Sequence, residues 1–475
     1  MKRERNTDRN RRLMVLAGAT SVLASAMPAW IYAASATQSA AKHPKPVHKG
    51  KAIAELERIF HSTDISVMKL VKDAYLQCIM EKVYSPDSPL QHDWIAPGGG
   101  YYAQWIWDTT FVVDLLAMLP GQEEVIRGVF QNFWDFQRRW NKVKPEFMHD
   151  MISNFMAPFD GNQWFPGRQW ETFPAFSQAP LLAWGMERVY RRNRDIELLR
   201  QGIHPLERFH EWYWRERDVT GCGLVGVGSY SGDVQHARFE TYDHEVDLDG
   251  LKMTTHPSRG TSALNGAWYG DILIPANTAY LLLSEDSLAR MAELTGDLEM
   301  AKRRRFRYAA GVNAMRAHMW SEKHGCFLAV QRDSLAKIES PTVGGFVPLM
   351  AKVPTNAQAK AMAKALEGPA WATPLPIPTV ARTDLSFKSG EFWRGDVWPA
   401  PNFQIATGLM SCGLSSPANR IADLSVANAI KVGISERYDS LSGAPLGVSG
   451  LGMSATVVTM MIDGLTGKYQ LNCTP

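Results

Sequence analysis

Four short segments of the 475-residue chain bring acidic, amide and aromatic side chains together within a few positions. Carboxylate and amide groups form paired hydrogen bonds with hydroxyl groups, and tryptophan offers a flat apolar face. This mixture favours a site that binds a sugar. The segments are Trp105-Ile106-Trp107-Asp108, Phe176-Ser177-Gln178-Ala179-Pro180, Phe392-Trp393-Arg394-Gly395-Asp396-Val397-Trp398-Pro399 and Glu436-Arg437-Tyr438-Asp439.

A fifth segment, residues 238–250, is rich in acids. Asp243, Glu245, Asp247 and Asp249 alternate before Gly250, as calcium ligands do. The run lacks the twelve-residue EF-hand form with its terminal Glu, so we predict no metal and no cofactor, with calcium as the alternative. The histidines are scattered without an H-x-x-x-H motif, which disfavours zinc.

Helical periodicity dominates the chain from residue 51 onwards. Val125, Val129, Phe133 and Phe136, for example, share one face at helical spacing. Six hairpins of such segments predict an all-α fold, an (α/α)6 barrel formed by a single domain over residues 51–475, with no β-sandwich partner. The twelve predicted helical segments are 64–83, 107–118, 122–140, 176–193, 195–214, 273–295, 297–320, 342–351, 355–366, 398–412, 415–433 and 454–465.

Turns and loops separate these segments. Gly296-Asp297 predicts a tight turn, after which the apolar row of the next helix contains Met300, Phe306, Ala310, Met315 and Met319. Gly98-Gly99-Gly100 lacks the Lys-Ser/Thr of a phosphate loop and predicts a flexible turn. Four connections are long enough to be functional, namely 84–105, 141–173, 215–271 and 367–397.

The same motifs carry a family resemblance. In their order and spacing, WIWDTTF, FSQAPLLAW, WRGDVWPAPNFQIATGL and SERYDSLSGAPLGVSGLGMSATVV resemble the mannosylglycerate and glucosylglycerate hydrolases and the processing α-glucosidase family around them. Trehalases are more distantly related. The resemblance covers about residues 60–470 and implies an (α/α)6 fold, an inverting glycosidase mechanism and no obligatory cofactor.

Carried over by position, the resemblance implies that Glu436 is the general base. It also implies that Asp108 with Trp107, together with Gln178 and Arg394, binds sugar hydroxyl groups. The alternatives are purely structural roles: a surface carboxylate for Glu436, a helix N-cap for Asp108 and a buried ion pair for Arg394. The predicted substrate-binding residues are Trp107, Asp108, Gln178, Glu240, Trp393, Arg394, Gly395 and Trp398.

The general acid is where the chain departs from its relatives. The relatives that it resembles place this acid in a pattern close to Glu-Ser-Gly-x-Asp-Asp/Asn-Ser-Pro. Of that pattern this chain keeps only Glu240 and Asp243, one residue closer together and without the Gly and Pro. Alignment from the following helix favours Asp243 as the acid, with Glu240 and Glu245 as alternatives. The expected function is hydrolysis of a small α-linked glucoside or mannoside. The alternatives are a sugar-binding protein with altered catalysis and a sugar epimerase or isomerase.

The first 36 residues have the composition of an export signal. A basic run that includes Arg11-Arg12 precedes an apolar stretch, and Ala34-Ser35-Ala36 offers a cleavage site. The arginine pair favours the twin-arginine route, with the Sec route as the alternative. Residues 37–50 are polar and contain proline, which predicts a linker to the domain. We therefore expect a periplasmic or secreted protein.

The basic charge of the chain belongs to this leader. Without residues 1–36 the formal charge falls from +3 to about −1, so charge favours neither a nucleic acid nor a membrane surface as a partner. No later segment has the run of about 18 apolar residues that a membrane span requires. The expected partner is a small carbohydrate, and the sequence does not specify an oligomeric state.

Replacing Arg11-Arg12 by Lys-Lys is expected to block export, because the paired arginines are the feature that the twin-arginine route recognises. Fractionation of cells that produce the parent and the double variant measures this directly. Continued export of the variant would assign the leader to the Sec route.

Overall fold

The computed structural model describes residues 52–142, 149–158, 177–229, 253–255 and 268–474. They belong to one compact unit within residues 43–475. Most of the regular structure in this part of the chain is helical. Its α-helices are α1 Ala52–Ile59, α2 Ile65–Asp73, α3 Ile106–Leu116, α4 Glu123–Trp140, α5 Leu182–Asn193, α6 Ile196–Arg217, α7 Pro275–Thr295, α8 Leu298–His318, α9 Asn356–Glu367, α10 Pro399–Ser411, α11 Ser415–Val432 and α12 Thr456–Ile462.

Helical structure is present in all twelve segments where the sequence predicts it. The segment 342–351 forms two 3-10 turns, Val343–Gly345 and Val347–Leu349, instead of an α-helix. Gly344, Gly345 and Pro348 explain the difference, because glycine and proline are the weakest helix formers. Helix α1 was not predicted, since its two turns are too short to give a clear period.

Six helical elements form a closed circuit of contacts. Helix α3 packs against α5, α5 against α7, and α7 against the turn Val347–Leu349; that turn packs against α10, and α10 against α12. The 3-10 turn Gly452–Ala455, which leads into α12, packs against α3 and closes the circuit. Every residue of α3 is buried, as expected for a helix with neighbours on all sides.

The remaining long helices cover this circuit. Helix α4 turns Val125, Val129, Phe133 and Phe136 inward, all of them buried, which confirms the predicted face. Helices α7 and α8 form the predicted hairpin. Gly296 adopts a left-handed conformation at φ 90°, and the α8 N-cap Asp297 accepts a hydrogen bond from the backbone N–H of Met300.

Two predicted core residues of α8 are wrong. Phe306 is 73% exposed, and Ala310 is exposed as well. Arg304 is buried instead, because its guanidinium reaches Glu285 of α7, 3.4 Å away. The ion pair between Arg304 and the buried Glu285 of α7 thus helps to decide which face of α8 is buried. Hydrophobic periodicity does not predict such a pair.

The described strands are short and pair antiparallel. Two pairs matter for the site. Strand β4 pairs with β5 and runs directly into α3, and β12 pairs with β13 in a hairpin. The strands are β1 Phe60–His61, β2 Val83–Tyr84, β3 Trp94–Ile95, β4 Gln104–Trp105, β5 Phe155–Met156, β6 Gly226–Ser229, β7 Met253–Thr255, β8 Trp268–Leu273, β9 Trp320–Ser321, β10 Cys326–Phe327, β11 Val330–Gln331, β12 Ser435–Tyr438, β13 Pro445–Ser449 and β14 Asn472–Cys473.

A buried network of four charges joins three of the circuit's helices. Asp114 near the end of α3 accepts hydrogen bonds from Arg188 at 2.6 Å and Arg192 at 3.0 Å, both on α5. The same arginines bind Asp463 at the end of α12, at 2.8 and 2.6 Å. Although burial raises it, the two arginines hold the pKa of Asp114 below its usual range. The paired charges satisfy one another at low dielectric.

The five cysteines are free thiols. Within the described ranges, none of the helices combines the length and apolar character needed to cross a bilayer.

Candidate active site

The first turn of α3 carries Trp107 and Asp108. Strand β4 runs directly into this helix, and the Ile106 N–H donates to Asn154 O at 3.1 Å, which fixes where the helix begins. Asp108 is 4% exposed. The first turn of a helix favours a negative charge, but burial opposes it.

Gln178 is attached to this turn. Its Oε1 accepts the backbone N–H of Trp107 at 2.9 Å, satisfying a donor that the first turn of a helix leaves unpaired. The Tyr213 hydroxyl donates to Gln178 O at 2.5 Å. The Trp107 ring is buried, and its Nε1 lies 3.0 Å from Met453 Sδ. The structure therefore brings two of the predicted motifs together at the start of α3.

Glu436 lies in the β12–β13 hairpin. Its side chain is 2% exposed, and Oε2 accepts the backbone N–H of Val448 at 2.9 Å. The register of the hairpin shifts between Ser435 and Arg437, and the β-bulge lies on β13, where Gly447 and Val448 oppose the single residue Glu436. Gly447, at φ 72°, stands against the carboxylate, where an added Cβ would overlap Oε2. The surface-carboxylate alternative for Glu436 is thus wrong.

The glycine-rich turn before Tyr101 supports the same carboxylate. The Tyr101 hydroxyl donates to Glu436 Oε1 at 3.4 Å, a long hydrogen bond. Gly99 packs so closely on Val448 that an added Cβ would stand 2.7 Å from its side chain. The Gly452 N–H donates to Pro97 O at 2.8 Å. The segment predicted to be a flexible turn is therefore packed against the hairpin that holds Glu436.

Asp108 and Glu436 share one electrostatic environment. Burial, and next the charge of Glu436, raise the pKa of Asp108 to about 8. Burial also raises the pKa of Glu436, while the Val448 N–H, Arg437 and Tyr101 lower it. Two neighbouring buried carboxyl groups do not both ionise readily. Glu436 has the groups that stabilise its charged form, so it is the carboxyl group of the pair that ionises first.

The segment from Phe392 to Trp398 is hydrogen bonded to the strand that carries Glu436. Val397 and Tyr438 exchange two backbone hydrogen bonds, of 2.8 and 2.9 Å. Trp393 and Trp398 are both 2% exposed and stack on each other, with ring centroids 4.4 Å apart and planes inclined by 10°. Gly395 has φ 154°, and an added Cβ there would stand 2.8 Å from the Phe387 ring.

Two arginines lie in this region. Arg394 is half-buried, and its backbone completes the turn from Lys388 by accepting that residue's N–H at 2.6 Å. Arg437 Nε donates to Asp396 Oδ2 at 2.7 Å, and the Arg437 guanidinium lies 5.1 Å from the centroid of the Phe392 ring. Arg437 is the arginine whose charge lowers the pKa of Glu436.

Sequence reasoning missed Arg437, Asp396 and Tyr101 as neighbours of Glu436. Arg437 is held by Asp396 and borders the space beside Gly447, and nothing in the sequence signals either contact. Four predicted features lie outside the described residues, namely Phe176, Glu240, Asp243 with Glu245, and the acidic run proposed as a calcium alternative.

The fold and the buried carboxyl groups can now be compared with known proteins. A family model for the mannosylglycerate hydrolase MGH1-like glycoside hydrolase domain matches residues 101–454. Mannosylglycerate hydrolases from Thermus thermophilus and Rubrobacter radiotolerans are 24% and 28% identical to this chain over 413 and 400 residues. The aligned regions cover 76% and 74% of this chain and 94% and 89% of those proteins.

The structural comparison agrees. The crystal structure of the GH63 mannosylglycerate hydrolase from Thermus thermophilus in complex with Tris and D-glycerate matches with a TM-score of 0.64 at 20% identity, covering 83% of this chain and 98% of that one. Fold and family together define the protein as a glycoside hydrolase. More specifically, the chain belongs to the mannosylglycerate hydrolase MGH1-like glycoside hydrolase family.

Replacing Asp108 by Asn is expected to stabilise the protein more at pH 8 than at pH 5. The pKa of Asp108 is about 8 in the folded protein and about 4 in an unfolded chain. The folded state therefore binds the extra proton between these values, and the stability of the parent falls as pH rises through that window. Asparagine carries no charge, so its Tm advantage should grow by roughly a few degrees.

Asp439→Asn is the matched control for this measurement. Despite burial, the Ser389 hydroxyl and the Ser442 N–H hold the pKa of Asp439 below its usual range. Asp439 is therefore ionised in the folded and the unfolded state above about pH 5, so its removal should cost the same stability at pH 5 and at pH 8. Thermal unfolding of both variants and the parent at pH 5 and pH 8 gives the two differences. An Asp108→Asn advantage that is equal at both pH values would contradict the raised pKa.

Proposed function

We propose that this protein is an inverting α-glycosidase in which Glu436 is the general base. The observation that carries the proposal is the carboxylate of Glu436 itself. It is buried, its charged form is the better stabilised of the Asp108–Glu436 pair, and its Oε2 is held by the Val448 N–H. An inverting hydrolase needs such a fixed, ionised carboxylate to activate water.

Orientation of the carboxylate suits this role. Because Oε2 is engaged by a 2.9 Å hydrogen bond from the backbone, Oε1 is the oxygen that we assign to the water molecule. Its hydrogen bond from Tyr101, at 3.4 Å, is weak enough to leave that oxygen basic. The Tyr101 hydroxyl would then lie beside the water and help to place it.

The proposed general acid is Asp243, with Glu240 and Glu245 as alternatives. In an inverting enzyme the acid protonates the leaving oxygen from the opposite side of the sugar ring, with the two carboxyl groups about 6.5–9.5 Å apart. Asp243 belongs to the 215–271 connection, which joins α6 to α7. Tyr213 of α6 donates to Gln178 O, and the Tyr280 ring of α7 lies 5.3 Å from the Trp107 ring, so both helices reach the residues at the start of α3.

Sugar binding is proposed for Asp108, Gln178, Arg394 and the residues around them. Protonated Asp108 offers a sugar hydroxyl one donor and one acceptor, which an ionised carboxylate does not. The Trp393–Trp398 stack lies in the segment that is hydrogen bonded to the Glu436 strand. Together with Trp107 and Gly395, this segment supplies the shape of the subsite.

The substrate class follows from the relatives. Those with 24% and 28% identity are named mannosylglycerate hydrolases, and a related structure binds Tris and D-glycerate. For this chain we propose a small α-linked glucoside or mannoside, either a disaccharide or a glycosylglycerate-like compound. The closed circuit of six helical elements supports the corresponding finer description of the fold, an (α/α)6 barrel with the site at one end.

The proposed setting is outside the cytoplasm. Residues 1–36 would direct export, 37–50 would connect the leader to the domain, and 51–475 would form the catalytic domain. The composition of the leader, with Arg11-Arg12 ahead of an apolar stretch, supports this organisation.

Glu436→Gln and Asp243→Asn are expected to lose hydrolytic activity on different sets of substrates. Loss of the base should lower hydrolysis of every substrate by about 10²–10⁴-fold. Loss of the acid should lower hydrolysis of a natural glycoside similarly but spare a glycosyl fluoride, whose leaving group needs little protonation. Initial rates on an α-glucosyl or α-mannosyl fluoride and on the matching glycerate glycoside measure both.

Glu240→Gln and Glu245→Gln are the controls for placement of the acid. Selective loss on the natural glycoside in one of these variants, with Asp243→Asn unaffected, would transfer the role to that residue. An unchanged rate in Glu436→Gln would overturn the proposed function. Sugar binding by isothermal titration without product release, in the parent, would identify the alternative of a binding protein with altered catalysis.

A further inference from the structure

Arg437 stands directly behind the proposed base. An added Cβ at Gly447 would overlap Glu436 Oε2 and would also stand 2.9 Å from Arg437 Nη1, so both atoms border the same small space. Nη1 is buried and has no hydrogen-bond partner among the described residues. Arg437 thus lies next to the Glu436 carboxylate without forming a salt bridge to it.

Asp396 accounts for this position. Its carboxylate is fully buried; Oδ2 accepts Arg437 Nε at 2.7 Å, and Oδ1 accepts the Gly390 N–H at 2.7 Å. The paired hydrogen bonds between Val397 and Tyr438 hold the two backbones in register beside it. Asp396 is consequently a fixed anchor and not a mobile surface acid.

We propose that Arg437 is a positioning residue that keeps the general base ionised, and that Asp396 restrains Arg437 so that it does not capture the base. The inference rests on the proposed function, because it assigns a role relative to Glu436 as the base. It goes beyond that function in naming an ion pair of this chain that sets how basic Glu436 is.

The physical requirement has two sides. A buried carboxylate needs a nearby positive charge to remain ionised. A carboxylate with both oxygens bound by a guanidinium is a poor base, because the bidentate pair is strong and stabilises the charged form. Anchoring Arg437 through Nε to Asp396 satisfies both needs, because the cation stays close while Glu436 Oε1 remains open to water.

The other groups that face Glu436 act differently. Asp108 on α3 contributes charge repulsion, the Tyr101 hydroxyl reaches Oε1, and the Val448 N–H binds Oε2. The Ser454 hydroxyl donates to the backbone O of Glu436 at 3.4 Å and leaves the carboxylate alone. Among these described neighbours Arg437 carries the positive charge, so the proposal predicts a specific effect of its removal.

The test uses two variants with opposite expected shifts. Arg437→Met removes the cation, so the pKa of Glu436 and the acid limb of the pH–rate profile should move up by about one pH unit. Asp396→Asn keeps the size of the side chain but removes the anchoring charge, which frees Arg437 to approach Glu436. The limb should then move to lower pH and kcat should fall. Arg437→Lys, which keeps the charge, should return most of the parent profile.

A direct readout separates this proposal from the proposed function. The carboxyl band that disappears in Glu436→Gln, followed by infrared difference spectroscopy against pH, reports the pKa of Glu436 whether or not a sugar is hydrolysed. If the parent hydrolyses no glycoside, the proposed function fails. If the parent is active but Arg437→Met leaves this pKa unmoved, or both variants shift it in the same direction, the inference is overturned.

Arg127→Met is the matched control. Arg127 forms a partly buried pair with Asp195 at 2.7 Å, between α4 and the N-cap of α6. Its loss should reduce thermal stability without moving the pKa of Glu436. A shift in this control equal to that of Arg437→Met would show that the effect is one of general destabilisation and would overturn the proposal.

Discussion

Burial of the Glu436 carboxyl group is the constraint around which the site is built. An isolated charge in the interior costs several kcal/mol, so it persists only where surrounding groups stabilise it. Here those groups come from separate parts of the chain: the Val448 N–H from β13, the Tyr101 hydroxyl from the loop before β4, and Arg437 from β12. Asp108 becomes the protonated partner because it has no comparable set.

Helix α3 carries a buried aspartate near each of its ends. Asp108 lies in its first turn, whereas Asp114 near its other end is held by Arg188 and Arg192 of α5. The same arginines bind Asp463 at the end of α12, and the turn that precedes α12 packs against α3. A compensated charge network thus fixes one end of the helix, and the opposite end carries an uncompensated acid. Ion pairs thus lie at one end of the helix, and a residue of the proposed site lies at the other.

Much of this organisation could be predicted from sequence, and the exceptions have physical causes. Apolar periodicity located the helices, and the motifs at 107–108 and 436 led to two carboxyl groups that share one environment. Arg437 was missed because Asp396, from another segment, holds its guanidinium beside Gly447, and Phe306 was misplaced because Arg304 takes its place in the interior to reach Glu285. Both misses depend on tertiary pairing of charges, which hydrophobic patterns do not encode.

The central claim is that Glu436 activates water for a single displacement on the anomeric carbon. The most direct test is the configuration of the first sugar released by the parent enzyme, followed by proton NMR before mutarotation mixes the anomers. From an α-linked substrate, attack by water on the face opposite the leaving group yields the β anomer first. Initial release of the α anomer would show retention through a covalent intermediate and would contradict the account.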